Sequence, residues 1–282
     1  MHATSSENSS GFRFRAAVDA ERPLQVVGTI NAYSALLAER AGFRSLYLSG
    51  AGVANASFGV PDVGITSLAD VVEDARRITS ATSLPLLVDV DTGFGDMAQT
   101  VREMIRVGVA AIHLEDQVDR KRCGHLPGKQ LVATAEMLDR IKAALDARTD
   151  PGFVVMARTD AAAVEGFASA IDRASQYVAA GADMIFAEAL TTLDEYRQFT
   201  SAVSVPVLAN LTEFGKTPHF TLDELRDAGI CLALYPLTAF RAMSAAAVMT
   251  YKTLRQCGTQ VQLIPQLQSR AELYDVLNYQ VE

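Results

Sequence analysis

The sequence predicts an α/β chain folded as one closed (β/α)8 barrel, and three observations predict it. Eight short apolar runs recur along the 282 residues, each ending in a polar or charged residue. Stretches of helical periodicity separate the runs. Several of those stretches finish on a glycine just before the next run. Near-continuous apolar runs suit parallel strands covered on both faces, and their alternation with helices builds parallel βαβ units. A doubly wound open sheet is the competing α/β architecture. Eight units, with no Pro/Gly/Ser-rich linker after residue 10, favour closure into a TIM-type barrel.

Taken in order, the strands are expected at 26–30, 45–49, 84–91, 110–116, 153–158, 184–188, 205–210 and 231–235. Helices are expected at 67–79, 98–108, 133–147, 163–181 and 221–228. Gly42, Gly108, Gly181 and Gly229 stand where a left-handed helix cap is wanted, which glycine adopts without a Cβ penalty. Past the eighth run the pattern is helical at 240–256, breaks at Gly258, and is helical again over 263–279. A barrel needs one helix there, so the second is expected to pack elsewhere, on a neighbouring subunit. The Ser-rich residues 1–10 are expected to be a disordered end, 11–240 the barrel core, and 241–282 a C-terminal helical segment completing it.

Composition narrows the function. Lys and Arg total 25 against 33 Asp and Glu, a formal net charge of −8, which argues against a nucleic-acid partner. It leaves small anionic substrates open, because a few buried arginines reverse the local field. No apolar run approaches the ~18 residues of a membrane span, and the N-terminus lacks the apolar core of a signal peptide. Three cysteines, Cys123, Cys231 and Cys257, cannot all pair, which fits a reducing cytoplasmic setting.

In barrels of this kind the chemistry sits at the C-terminal strand ends. Here those ends carry Ser49, Asp89, Asp91, Glu115, Asp116, Arg158, Glu188 and Asn210. Any one of them could cap a helix or pair with a lysine; a whole ring of them is not accounted for in that way. Asp89 and Asp91, two apart, are expected on one face of a strand, where two carboxylates repel unless a cation or a proton lies between them. A hard divalent ion such as Mg2+ takes one or two carboxylates with water and substrate oxygens. In Lys121-Arg122-Cys123-Gly124-His125, two cations precede a cysteine and favour its thiolate. His113, inside an apolar run, reads as a core histidine; Cys231 and Cys257 read as packing residues.

The Lys121–His125 motif, together with Asp89-Val90-Asp91-Thr92-Gly93 and His113-Leu114-Glu115-Asp116-Gln117, resembles the isocitrate lyase and phosphoenolpyruvate mutase superfamily, nearest to its 2-methylisocitrate lyase branch. The resemblance covers the chain after about residue 12. It includes Tyr47-Leu48-Ser49-Gly50, Met156-Ala157-Arg158-Thr159-Asp160, Asn210-Leu211-Thr212-Glu213-Phe214-Gly215 and Leu234-Tyr235-Pro236. It implies a barrel whose last helix is swapped between subunits of a homotetramer. It also implies cleavage of 2-methylisocitrate to pyruvate and succinate in the methylcitrate cycle of propionate catabolism, with Mg2+ or alternatively Mn2+.

Carried onto this chain, the resemblance makes Asp89 and Asp91 metal ligands, with Asp62 and Glu115 in the acidic surround. Ser49, Gly50 and Ala51 would cradle the carboxylate of the pyruvate half, with Arg158 and Glu188 beside it. Gly124, His125, Asn210, Thr212, Arg241 and Arg270 would hold the succinate carboxylates, and Cys123 would be the acid. Tyr47 is a candidate base, alongside the neighbours of Cys123 or a metal-bound hydroxide. Phe186 and Leu234 would leave room for a methyl group. Asp96-Met97-Ala98-Gln99 departs from the family, which has a longer, Asn-containing stretch there. Sister activities, 2,3-dimethylmalate cleavage or oxaloacetate hydrolysis, are the alternative readings, and a non-catalytic metabolite-binding scaffold is a third.

Overall fold

A computed structural model describes residues 9–119 and 128–280. Most of the expected disordered end therefore lies outside the described residues, as do Cys123, Gly124 and His125. Eight parallel strands close on themselves in chain order: β1 (Leu24–Gly28), β2 (Ser45–Leu48), β3 (Leu86–Asp89), β4 (Ala111–Glu115), β5 (Val154–Thr159), β6 (Met184–Ala187), β7 (Val207–Asn210) and β8 (Leu232–Tyr235), with β8 pairing back onto β1. The barrel is the one the periodicity predicts. Every strand is buried along nearly its whole length, which is why the runs read as continuously apolar.

The helices are α1 (Ser10–Ala20), α2 (Ala32–Arg40), α3 (Gly50–Gly52, running into a π turn at Val53–Ser57), α4 (Leu68–Ala81), α5 (Met97–Arg106), α6 (Thr134–Asp146), α7 (Ala161–Val164), α8 (Phe167–Ala179), α9 (Leu193–Ala202), α10 (Leu222–Asp227), α11 (Thr238–Cys257) and α12 (Arg270–Val276), with a 3-10 turn at Val261–Gln266. Capping boxes start α4 at Ser67/Asp70, α9 at Thr192/Glu195 and α10 at Thr221/Glu224, each satisfying two backbone donors that a helix start leaves open. The glycines expected as left-handed caps take that conformation, with φ of 92° at Gly42, 84° at Gly108, 106° at Gly181 and 79° at Gly229.

Three expectations need correction. The helix expected at 163–181 is two helices, because Gly166 stands between α7 and α8 with φ 98°, outside the helical region. The helix expected at 263–279 shrinks to α12, because Pro265 lies in the preceding 3-10 turn and cannot donate to an α-helical ladder. The strand expected at 84–91 is only Leu86–Asp89.

Two apolar layers hold the barrel. Between strands and helices lies the larger one, with Leu48, Val88, Ile112, Val155 and Ile185 against Val71, Met104, Ile141 and Tyr177. Inside the barrel, Val26, Tyr47, Leu87, Met156, Phe186, Leu208 and Leu234 pack with Phe14, Ala17 and Val18 of α1. So α1, which the periodicity did not reveal, plugs the N-terminal mouth. Arg15 ties it there, donating to Gly152 O at 2.9 Å and pairing with Asp183 at 2.7 Å. The polar strand ends lie at the opposite, C-terminal rim.

The last helices behave differently. α11 has 20 residues and none is buried in the single chain, although Met243, Val248, Met249 and Tyr251 are large and apolar. α12 lies against α2 of its own chain through an Arg40–Asp275 ion pair, and Gln268, just before α12, accepts a hydrogen bond of 2.8 Å from Tyr33. Cys257, expected as a packing residue, is exposed at the end of α11, while Cys231 is half-buried beside the barrel interior. Among the described residues no helix is long and apolar enough to cross a membrane.

Candidate active site

Strand register brings the charged ends together. Asp89 is level with His113, Glu115 with Arg158, and Arg158 with Phe186, so consecutive strands deliver their polar ends to one depth of the rim. The chain then turns sharply. Of the five non-glycine residues with positive φ among the described residues, Asp91 (φ 49°), Phe94 (54°), Ala189 (59°) and Phe214 (61°) lie in the loops that leave β3, β6 and β7 on this face, and the fifth, Asn278 (51°), follows α12. Such strain gathers where a site dictates the backbone.

Asp89 ends β3, but Asp91 lies past it in the left-handed region. The two carboxylates therefore converge through the turn and not through strand alternation. They meet over Gly50: a Cβ there would lie 3.2 Å from Asp89 Oδ2 and 3.3 Å from Asp91 Oδ1. The Gly50 N–H donates to Asp89 Oδ2 at 3.2 Å, and the Asp91 N–H to Asp89 Oδ1 at 3.1 Å. Both side chains are buried. Two buried carboxylates opening onto the space a glycine leaves clear suit an ion that takes few protein ligands and keeps its waters, as Mg2+ does. Among the described residues no group of three or more His, Cys, Asp and Glu is placed to hold a metal ion.

Arg158 is the centre of the other half. Its Nε lies 2.9 Å from Asp160 Oδ2 and 3.2 Å from Glu115 Oε2, and its Nη2 lies 3.1 Å from Glu188 Oε2. Burial works against the guanidinium charge, yet Asp160, Glu115 and Glu188 together hold Arg158 charged well above its ordinary value. Phe186 lies under it, 5.1 Å from guanidinium carbon to ring centre. Asn210 Nδ2 reaches both oxygens of Glu188, at 3.4 and 3.5 Å. Ser49, Gly50, Glu115, Arg158, Glu188 and Asn210 thus share the buried rim with the two aspartates.

Tyr47 is buried below them, its hydroxyl 2.9 Å from His113 Nε2, with the two rings stacked 5.7 Å apart. Burial first, then the charge of Asp89, push this phenol well above its usual value, with Arg158 opposing. The neutral phenol is the resting form. His113 is buried, as read, but it is not merely a core residue: its Nε2 is 3.7 Å from Asp89 Oδ1, and Phe186 meets its ring edge-on at 5.1 Å.

Other expected residues lie further out. Ala51 follows Gly50 in α3, half-buried, and Thr212 is half-buried beyond β7. Asp62 is partly exposed on the loop between the π turn and α4, outside the buried carboxylates. Arg241, in the first turn of α11, pairs with Glu213 at 3.3 Å and lies over Phe214 at 5.4 Å. Arg270 is exposed at the start of α12, the helix that lies against α2. Leu234 is buried in the barrel interior.

Behind Arg158 lies a polar network of which sequence reading singled out only Asp116. Asp160 accepts from Lys129 Nζ at 2.7 Å, and Asp116 accepts from Thr159 Oγ1 at 2.8 Å, the Asp160 N–H at 2.9 Å and Tyr177 OH at 2.9 Å. The available signal was the Arg-x-Asp spacing, which returns a carboxylate to the face of its arginine.

Buried carboxylates thus gather beside one fixed arginine at the C-terminal rim. The sequence matches the family described as phosphoenolpyruvate phosphomutase over residues 14–255. The chain belongs to that family. It is similar to a protein of Escherichia coli (strain K12) named 2-methylisocitrate lyase, 60% identical over 276 residues that span 96% of this chain and 93% of that one. A protein of the same name from Shewanella oneidensis is 59% identical over 274 residues, 96% of this chain and 94% of its own. Among solved structures, a 2,3-dimethylmalate lyase of the phosphoenolpyruvate mutase/isocitrate lyase superfamily superposes with a TM-score of 0.88 at 34% identity, covering 95% of this chain and 91% of that one.

Proposed function

We propose that this chain is a magnesium-dependent carbon–carbon lyase that cleaves 2-methylisocitrate into pyruvate and succinate. The observation that carries the reading is the convergence of Asp89 and Asp91 over Gly50 in a chain 60% identical to a 2-methylisocitrate lyase. Asp89 and Asp91 would hold the ion, which when bound supplies positive charge to polarise the substrate's hydroxyl and carboxylate oxygens. Manganese is the alternative occupant.

The chain's own residues then divide the work. Arg158 already gives Nε and Nη2 to three carboxylates, which fixes its plane and leaves Nη1 for a substrate carboxylate. Ser49, Gly50 and Ala51 border the pyruvate half. Loss of the C2 hydroxyl proton sends the C2–C3 electron pair into the C3 carboxylate, giving pyruvate and a succinate enediolate. Tyr47, neutral and bonded to His113, can pass its own proton to Nε2 while its oxygen takes the hydroxyl proton. Cys123 would return a proton to C3. Its replacement by serine is expected to cut turnover by about a hundredfold or more.

A cleft for three carboxylates also needs Arg241 and Arg270. α11 is 20 residues long with none buried, which supports its docking on a neighbouring barrel in a helix-swapped homotetramer. The free thiols of Cys231 and Cys257 suit a reducing cytoplasm. One observation favours a second reading. Within one chain Arg270 is exposed, and a dicarboxylate such as 2,3-dimethylmalate would need fewer of these residues. Product analysis on 2-methylisocitrate, isocitrate and 2,3-dimethylmalate side by side tests both: the first is expected to turn over fastest, and a preference for the third overturns the leading reading.

A further inference from the structure

We propose that Lys129 is a positioning residue, which through Asp160 keeps the Arg158 guanidinium available to an anionic substrate. This rests on reading Arg158 as a substrate-binding residue. Lys129 and Asp160 are both buried, with Nζ 2.7 Å from Oδ1. Asp160 is the hub. Its Oδ2 takes Arg158 Nε at 2.9 Å, its Oδ1 takes Arg158 Nη2 at 3.3 Å, and Gln117 Nε2 approaches Oδ2 at 3.4 Å.

The backbone delivers the lysine to this place. Residues 130–132 return alongside 116–118, with the Val118 N–H donating to Gln130 O at 3.0 Å and the Val132 N–H to Asp116 O at 2.9 Å. Lys129 therefore enters the barrel rim from a fixed base, one residue before that ladder. Burying an ammonium is costly unless a carboxylate repays it, so a lysine put there by a loop calls for a reason beyond packing.

Charge supplies the reason. Among the described residues, Glu115, Asp160 and Glu188 each lie within ion-pair distance of Arg158. Lys129 adds one positive charge to this group through Asp160. Without it, Asp160 draws harder on the guanidinium, and an incoming carboxylate meets one more unit of negative charge at short range in a poorly screened site. A lysine serving only to quiet Asp160 would affect stability and leave substrate affinity alone.

The test uses the full chain with Mg2+ and oxalate, the smallest dianion with two adjacent carboxylates, titrated by calorimetry beside pyruvate-release kinetics. Lys129→Met is expected to weaken oxalate by about tenfold or more and to raise KM more than it lowers kcat. Lys129→Arg, which keeps the charge, is expected within about threefold of the wild type. The double variant Lys129→Met/Asp160→Asn, which removes the charge that Lys129 balances, is expected to recover most of the loss. Folded Lys129→Met with wild-type oxalate affinity, or a double variant as weak as the single, overturns the proposal. Should the methionine variant not fold, Lys129→Gln against Lys129→Arg carries the same contrast: a weakened glutamine supports the proposal, and equal affinities overturn it. A wild type that binds oxalate but releases no pyruvate from 2-methylisocitrate refutes the lyase reading alone; a wild type that binds no oxalate refutes both.

Discussion

At the residue scale, the absence of a side chain at Gly50 matters as much as the charged groups around it. A methyl group there would lie 3.2 and 3.3 Å from the two aspartate oxygens, in the space that the proposed ion would take. Gly50→Ala is expected to fold and to lose on the order of 10–100-fold in Mg2+ affinity or activity, read by titrating the metal against turnover. Arg158→Lys is not conservative here, because one ammonium cannot replace a planar fork held between Asp160, Glu115 and Glu188; an activity loss of about a hundredfold is expected in steady-state assays. Much of this cluster was legible. A polar residue after an apolar run marks a strand's C-terminal end, and those ends share a rim. Partners set by register and return paths were not legible. His113 meets Tyr47 and Asp89 only because β2, β3 and β4 are neighbours, and Lys129 reaches Asp160 only because its segment doubles back on 116–118.

At the scale of elements, the eight strands announced themselves because parallel strands buried on both faces must be apolar throughout. Helix ends announced themselves through glycine caps and capping boxes. What stayed hidden was α1, since its buried residues Phe14, Ala17 and Val18 face a barrel mouth that exists only after the strands close. Phe14 is wholly buried, so Phe14→Ala is expected to cost about 3–5 kcal/mol in denaturant unfolding while leaving the rim intact. The break between α7 and α8 was equally invisible, because a single glycine inside a helical pattern does not declare its φ. At Gly166 φ is 98° and ψ 165°, a region essentially reserved for glycine, and a Cβ would meet nothing within 4 Å, so Gly166→Ala is expected to cost about 1–3 kcal/mol of backbone strain alone.

At the scale of the whole molecule, burial and exposure each make a prediction. Tyr47, Tyr177 and Tyr196 are buried, and burial is the first cause that pushes each phenol above its usual value. A raised folded value gives stability that is fully present below the unfolded phenol value of about 10 and is lost as pH climbs through the folded one. Native protein is therefore expected to lack at least these three phenolate signals, of eight tyrosines, just above that pH until it unfolds. The unburied α11 predicts an oligomer: light scattering should give a multiple of the 30.3 kDa chain, and a chain ending before Thr238 should lose it.

The lyase reading itself meets its most direct test in one assay. Chelator-stripped protein is given 2-methylisocitrate, then Mg2+, while pyruvate and succinate are both measured. Equal amounts of the two products, appearing only after Mg2+ is added, are expected. No pyruvate with the metal restored, or pyruvate without matching succinate, would contradict it.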